Sequence, residues 1–81
     1  MKTIVFMPVA ARQLDALPVQ AREAIEAAIS RYAIEGRADV KKLQGREGFR
    51  MRVGEYRVLF REDLSTILAI YVGPRQTIIY S

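Results

Sequence analysis

Residues 49–61, Phe49-Arg50-Met51-Arg52-Val53-Gly54-Glu55-Tyr56-Arg57-Val58-Leu59-Phe60-Arg61, alternate in a way that leaves little freedom in how they fold. They read as two strands joined by Gly54-Glu55, a two-residue loop with glycine at its first central position. That loop sets the register: Val53 opposite Tyr56, Arg52 opposite Arg57, Met51 opposite Val58 and Arg50 opposite Leu59. Because side chains in a strand repeat every two residues, Phe49, Met51, Val53, Tyr56, Val58 and Phe60 share one face. Arg50, Arg52, Arg57 and Arg61 share the other with Leu59, and no carboxylate is expected among them. Like charges facing each other across strands are unfavourable, by an amount comparable to the roughly 0.2–1 kcal/mol that good pairs contribute. An arginine face without counter-ions therefore points to an anionic partner from outside the chain.

The apolar face of this hairpin needs a cover, and the N-terminal half supplies one. Lys2 to Phe6 is a short β-rich run. Pro8 suits the first turn of a helix that turns Ala10, Leu14 and Leu17 inward. Leu17-Pro18 ends that helix and opens a second, in which Ala21, Ala24, Ile25, Ala28, Ile29 and Tyr32 follow helical spacing and Gly36 is the stop. After the hairpin, Glu62-Asp63-Leu64 makes a turn and Ser65 to Val72 reads as a covered central strand. Gly73-Pro74 is expected to interrupt it, and Thr77-Ile78-Ile79-Tyr80 to form a last short strand. The expected architecture is α+β, in the order β-α-α-β-β-β: a helical hairpin packed on one face of a small, mostly antiparallel sheet. Residues 1–81 form a single domain, 51% hydrophobic, with neither internal repeat nor linker.

Charge is concentrated where the hairpin lies. Residues 1–36 sum to zero, residues 37–61 to +5 and residues 62–81 to −1. Such a patch favours nucleic acid, an acidic protein or an anionic surface, although a solvated strand face would carry the same charges. Lys41 and Lys42 belong to this segment and, with Arg61, extend the candidate RNA-contacting set. The sequence contains no cysteine and no histidine, which excludes disulfides, thiolate chemistry and the usual zinc site. No metal or other cofactor is expected. Lack of cysteine fits a reducing cytoplasm, and neither a signal peptide nor a membrane span is expected.

The groups left for chemistry are arginine, lysine, tyrosine and a few carboxylates. Sparse carboxylates argue against a paired-acid hydrolase, and the glycines Gly45, Gly48, Gly54 and Gly73 read as scattered turn residues without a phosphate loop. Arginine forks match phosphate oxygens bidentately and can stabilise charge that develops in a transition state. RNA carries its own nucleophile, the ribose 2′-hydroxyl, so such a site has only to orient and activate it. Tyr80 could accept the proton if neighbouring arginines lower its pKa from about 10, or it could be an ordinary sheet aromatic.

At this point the chain resembles the RelE/ParE family of bacterial toxin–antitoxin toxins. The resemblance rests on Lys42-Leu43-Gln44-Gly45, Phe49-Arg50-Met51-Arg52-Val53, Glu55-Tyr56-Arg57-Val58-Leu59-Phe60, Tyr71-Val72-Gly73-Pro74-Arg75 and the closing Tyr80. It implies a RelE-like ribosome-dependent mRNA endoribonuclease that cleaves by 2′-hydroxyl attack on the adjacent phosphodiester. The alternative within the family is a ParE-like, non-enzymatic inhibitor of DNA gyrase. Outside it stands a plain RNA- or DNA-binding module. Carried over by position, Arg50 and Arg52 bind the phosphate and Arg57 stabilises it, Arg75 assists the leaving oxygen and Tyr80 is the base. The implied partners are a cognate antitoxin and mRNA on the ribosome, or gyrase under the alternative.

Overall fold

Two prolines set the helical layer. In the computed structural model, which describes residues 1–75, strand β1 (Thr3–Phe6) leads into helix α1 (Pro8–Asp15), with Pro8 in its first turn. Pro18 is the N-cap of helix α2 (Val19–Glu35). That helix ends at Gly36, whose left-handed backbone (φ 72°) lets its N–H reach the Tyr32 carbonyl at 2.9 Å. Four strands follow as a meander: β2 (Asp39–Lys42), β3 (Phe49–Val53), β4 (Tyr56–Glu62) and β5 (Thr66–Pro74).

The sheet order is β1-β5-β4-β3-β2. The helical hairpin carries the chain from one edge of the sheet to the other. The meander then returns, and β5 docks parallel to β1 while every other pairing is antiparallel. The Gly54-Glu55 loop has the expected register, with Val53 opposite Tyr56 and Arg52 opposite Arg57. Gly54 takes φ 59°, as the first position of such a turn requires. The β4–β5 turn is closed by Asp63, whose Oδ1 accepts the Ser65 and Thr66 N–H groups, each at 2.8 Å.

Three sequence expectations are corrected. Asp39–Lys42 is an additional edge strand that its short, charged sequence conceals, since only Val40 there points to the core. The last described strand runs through Gly73 and Pro74 without interruption. Proline lacks an amide hydrogen, yet no donor is needed there, because β1 has already ended along that flank of β5. On α2 the inward row is Ile25, Ile29 and Ala33, with Ala24 exposed. The expected strand at Thr77–Tyr80 lies outside the described residues.

The core is the space between the helices and the inner sheet face. Ala10, Leu14, Ile25, Ile29 and Ala33 meet Met51, Val58, Phe60, Ile67, Ala69 and Val72, with Phe49, Val53 and Tyr56 packed at its margin. Phe60 anchors it, stacked on Phe49 and edge-on to Tyr32 with ring centroids 5.5 Å apart in each pair. Polar contacts also tie the layers together. Glu62 accepts hydrogen bonds from the Tyr32 hydroxyl (2.6 Å) and the Lys2 ammonium (2.5 Å), joining α2, β4 and the N-terminus. Gln13 of α1 accepts the Val72 N–H at 2.8 Å, satisfying β5 beyond the end of β1.

Candidate phosphate-binding site

With the helices on the inner face, the register builds the outer face as two adjacent rows. One row runs Lys41, Arg50, Leu59, Tyr71 across β2 to β5, and the next runs Asp39, Arg52, Arg57, Gly73. Arg75 lies just past the end of β5, its N–H held by the Glu55 carbonyl at 2.9 Å, and its charge acts on Arg57. Arg50, Arg52, Arg57 and Arg75 therefore gather around one end of the sheet, beside the Gly54-Glu55 loop.

Arg57 is at the centre of this group. Its pKa is lowered from the ordinary guanidinium value, first by partial burial and then by the positive charges of Arg50, Arg75 and Arg52. Such a shift is that of a cation crowded by cations. The Nε and Nη2 of Arg50 and the Nε of Arg52 are shielded from solvent and have no hydrogen-bond acceptor among the described residues. Enclosed N–H groups of this kind cost free energy until an acceptor arrives. The expectation of a face without carboxylates is corrected in one respect: Asp39 of the additional edge strand stands opposite Arg52, with Oδ2 3.9 Å from Nε. Both side chains are substantially exposed, so this pair is weak and leaves the cluster strongly positive.

Sequence reasoning missed Tyr71. The β4–β5 pairing shifts register between Leu59 and Phe60, which face Tyr71 and Ala69 respectively, so that Ile70 is an extra residue. This bulge moves Tyr71 to the outer face, where its ring leans along the strand. A Cβ built on Gly73 would lie 2.7 Å from the Tyr71 hydroxyl oxygen and 2.9 Å from Cε2. Gly73 is thus no turn residue: it is a strand glycine that makes room for an aromatic ring.

The remaining candidates are placed differently. Lys41 lies in the row of Arg50, and together with Lys42, Leu43 and Gln44 they line an open recess of about 240 Å³ at the sheet edge. Lys42 pairs with Phe49 and so has the opposite parity, facing away from the arginines. Arg61 has the parity of Arg57 but sits four residues along β4, about 13 Å away at the usual strand rise, so it is not brought into the cluster. Tyr80 lies outside the described residues. Among those described, no group of three or more His, Cys, Asp or Glu side chains is placed to hold a metal ion. The cluster supplies dense positive charge and planar N–H donors on an accessible surface, the properties needed to hold a phosphodiester oxyanion.

No protein-family model and no curated protein sequence matches this chain. Solved structures do. A chain of the RelBE2 toxin–antitoxin complex from Mycobacterium tuberculosis superposes with TM-score 0.73 at 30% identity, over 91% of this chain and 98% of that one. The RelE–RelB complex of the archaeon Pyrococcus horikoshii OT3 gives TM-score 0.79 at 21% identity, covering 95% and 98%. The intact RelBE complex of E. coli gives 0.71 at 20%, covering 91% and 96%. The last two share the fold. The first adds sequence identity over nearly the full length of both chains, and on that ground this chain belongs to the RelE-like toxins of toxin–antitoxin systems.

Proposed function

We propose that this protein is the toxin of a toxin–antitoxin pair and cleaves mRNA on the ribosome. In the proposed reaction a ribose 2′-oxygen bonds to the adjacent phosphorus while the 5′-oxygen leaves, yielding a cyclic phosphate and a 5′-hydroxyl end. The observation that carries this reading is the convergence of Arg50, Arg52, Arg57 and Arg75 on one open sheet face, where enclosed N–H groups of Arg50 and Arg52 find no acceptor among the described residues. Arg50, Arg52 and Arg57 hold the phosphate and stabilise the charge that builds on its oxygens. Arg75 offsets charge on the leaving oxygen, a better role for so weak an acid than proton donation, and that oxygen takes its proton from water to become the 5′-hydroxyl. Tyr80 is assigned as the acceptor of the 2′-hydroxyl proton. Lys41 and the recess beside Arg50 give the flanking RNA backbone a further positive contact.

The solved complexes pair toxin with antitoxin, and a cognate antitoxin is the expected partner here, bound over the positive face in the cytoplasm. Among the described residues no helix is long and apolar enough to cross a membrane. Inducing the protein in cells and mapping RNA ends should reveal cuts confined to translated frames. Intact messages accompanied by DNA damage and trapped gyrase would overturn this assignment in favour of the ParE-like alternative.

A further inference from the structure

Tyr71 occupies a position that the phosphate chemistry so far leaves unused. Its hydroxyl lies above Gly73. Gly73 is the cross-strand partner of Arg57, shares its parity on β5 with Tyr71, and lies two residues before Arg75, which follows the end of the strand. Three features set that hydroxyl there. The extra residue Ile70 turns the side chain outward. The ring leans away from Ile70 and over Gly73, the cross-strand partner of Arg57. A glycine at position 73 leaves the space that any other side chain would fill, although its backbone has no positive φ that would itself demand glycine. Beneath the row, Leu59 is only 6% exposed on a face the helices do not cover, flanked across the strands by Arg50 and Tyr71. Among the described residues the cluster therefore has an apolar floor in Leu59, cationic sides and a neutral hydroxyl, that of Tyr71, over Gly73.

We propose that Tyr71 is a further substrate-contacting residue of this site, donating a hydrogen bond from its hydroxyl to the RNA phosphate bound by Arg57 and Arg75. The inference rests on the phosphate reading of the arginine face. A neutral donor suits the position: it adds a hydrogen bond to the anion without adding to the repulsion among four arginines. The ring also forms a wall that fixes the path of the RNA across β5.

Two substitutions separate the hydroxyl from the ring. Tyr71→Phe keeps the ring over Gly73 and removes only the donor. Gly73→Ala keeps the donor and displaces it, because the new methyl must push the end of the ring aside. Each should lower single-turnover cleavage of ribosome-bound mRNA by about 10- to 100-fold, the worth of a hydrogen bond to a charged group. Thermal melting should stay close to that of the parent. The double variant should lose little more than either single one, since both act on one contact. Binding is scored separately, with a short RNA 2′-O-methylated throughout so that it cannot be cleaved. Its titration should move the Tyr71 ring signals in NMR, and Tyr71→Phe should weaken its affinity. If Tyr71→Phe cleaves and binds like the parent, or the ring signals do not respond to bound RNA, the proposal is overturned. If the parent protein binds this RNA through Tyr71 but cuts no message, the nuclease reading fails while the phosphate contact stands.

Discussion

At Arg57 the cross-strand register sets a guanidinium directly opposite that of Arg52, an arrangement that costs stability in the free protein. Removing it should separate function from folding. Arg57→Ala should reduce mRNA cleavage by about 10²–10³, the usual worth of one oxyanion donor in an active site. Its melting temperature should equal or exceed that of the parent, since repulsion is relieved and the side chain is absent from the core. Cleavage assays on folded variants with parallel melts check both halves. Asp39 tests the opposite sign. Asp39→Asn removes the carboxylate beside Arg52 and should tighten RNA binding modestly, by less than about threefold, as befits an exposed pair. A filter-binding comparison with the parent at low salt would measure it.

The elements are joined by a small number of polar ties, of which the Lys2–Glu62–Tyr32 contact is the most revealing. Burial, then the hydrogen bond to Glu62 and its negative charge, raise the Tyr32 pKa from 10.0 to about 12. The folded state consequently keeps this proton at a pH where the unfolded chain has released it. Stability from this source is complete below pH 10 and is lost as pH rises toward 12. Tyr32→Phe should lower stability at neutral pH by about 1.5 kcal/mol, the low end for a hydrogen bond to a charged group. It should also flatten the alkaline decline relative to the parent, which urea melts between pH 8 and 11.5 would show. At the other end of the helical layer, Gln13 serves the backbone of β5 where β1 has ended. Gln13→Ala leaves the Val72 N–H without that acceptor and should cost about 1–2 kcal/mol.

For the whole molecule, the consequence of this architecture is a division of surfaces. One sheet face is consumed by the helices, and the other carries Lys41, Arg50, Arg52, Arg57 and Arg61, with Arg75 just past its end. A net charge of +4 spread evenly would do little. Held on one face, it should steer any polyanionic partner and make association fall steeply with salt. The association rate of the cognate antitoxin, measured by stopped flow at 50 and 300 mM salt, should drop by at least tenfold. A rate insensitive to salt would indicate that the arginine face is not the surface the antitoxin approaches.

The hairpin was legible from the chain alone because its information is local. A two-residue loop fixes register, register fixes parity, and parity separates Phe49, Met51, Val53, Tyr56, Val58 and Phe60 from the arginines without reference to the rest of the molecule. Pro8, Pro18 and Gly36 bounded the helices for the same reason, since each acts on its own backbone torsions. Asp39–Lys42 could not be read in this way. An edge strand with one inward side chain has almost no hydrophobic pattern, and it exists because β3 offers it unpaired backbone groups. The place of Tyr71 was decided later still. Counted by twos from Ile67 and Ala69, Tyr71 belongs in the core; the extra residue at Ile70 reverses that parity and brings the ring over Gly73 beside Arg57. Alternation carries information along one strand only as far as its ladder is regular. Where the β4–β5 ladder slips by one residue, contacts between distant parts of the chain decide which face a side chain occupies.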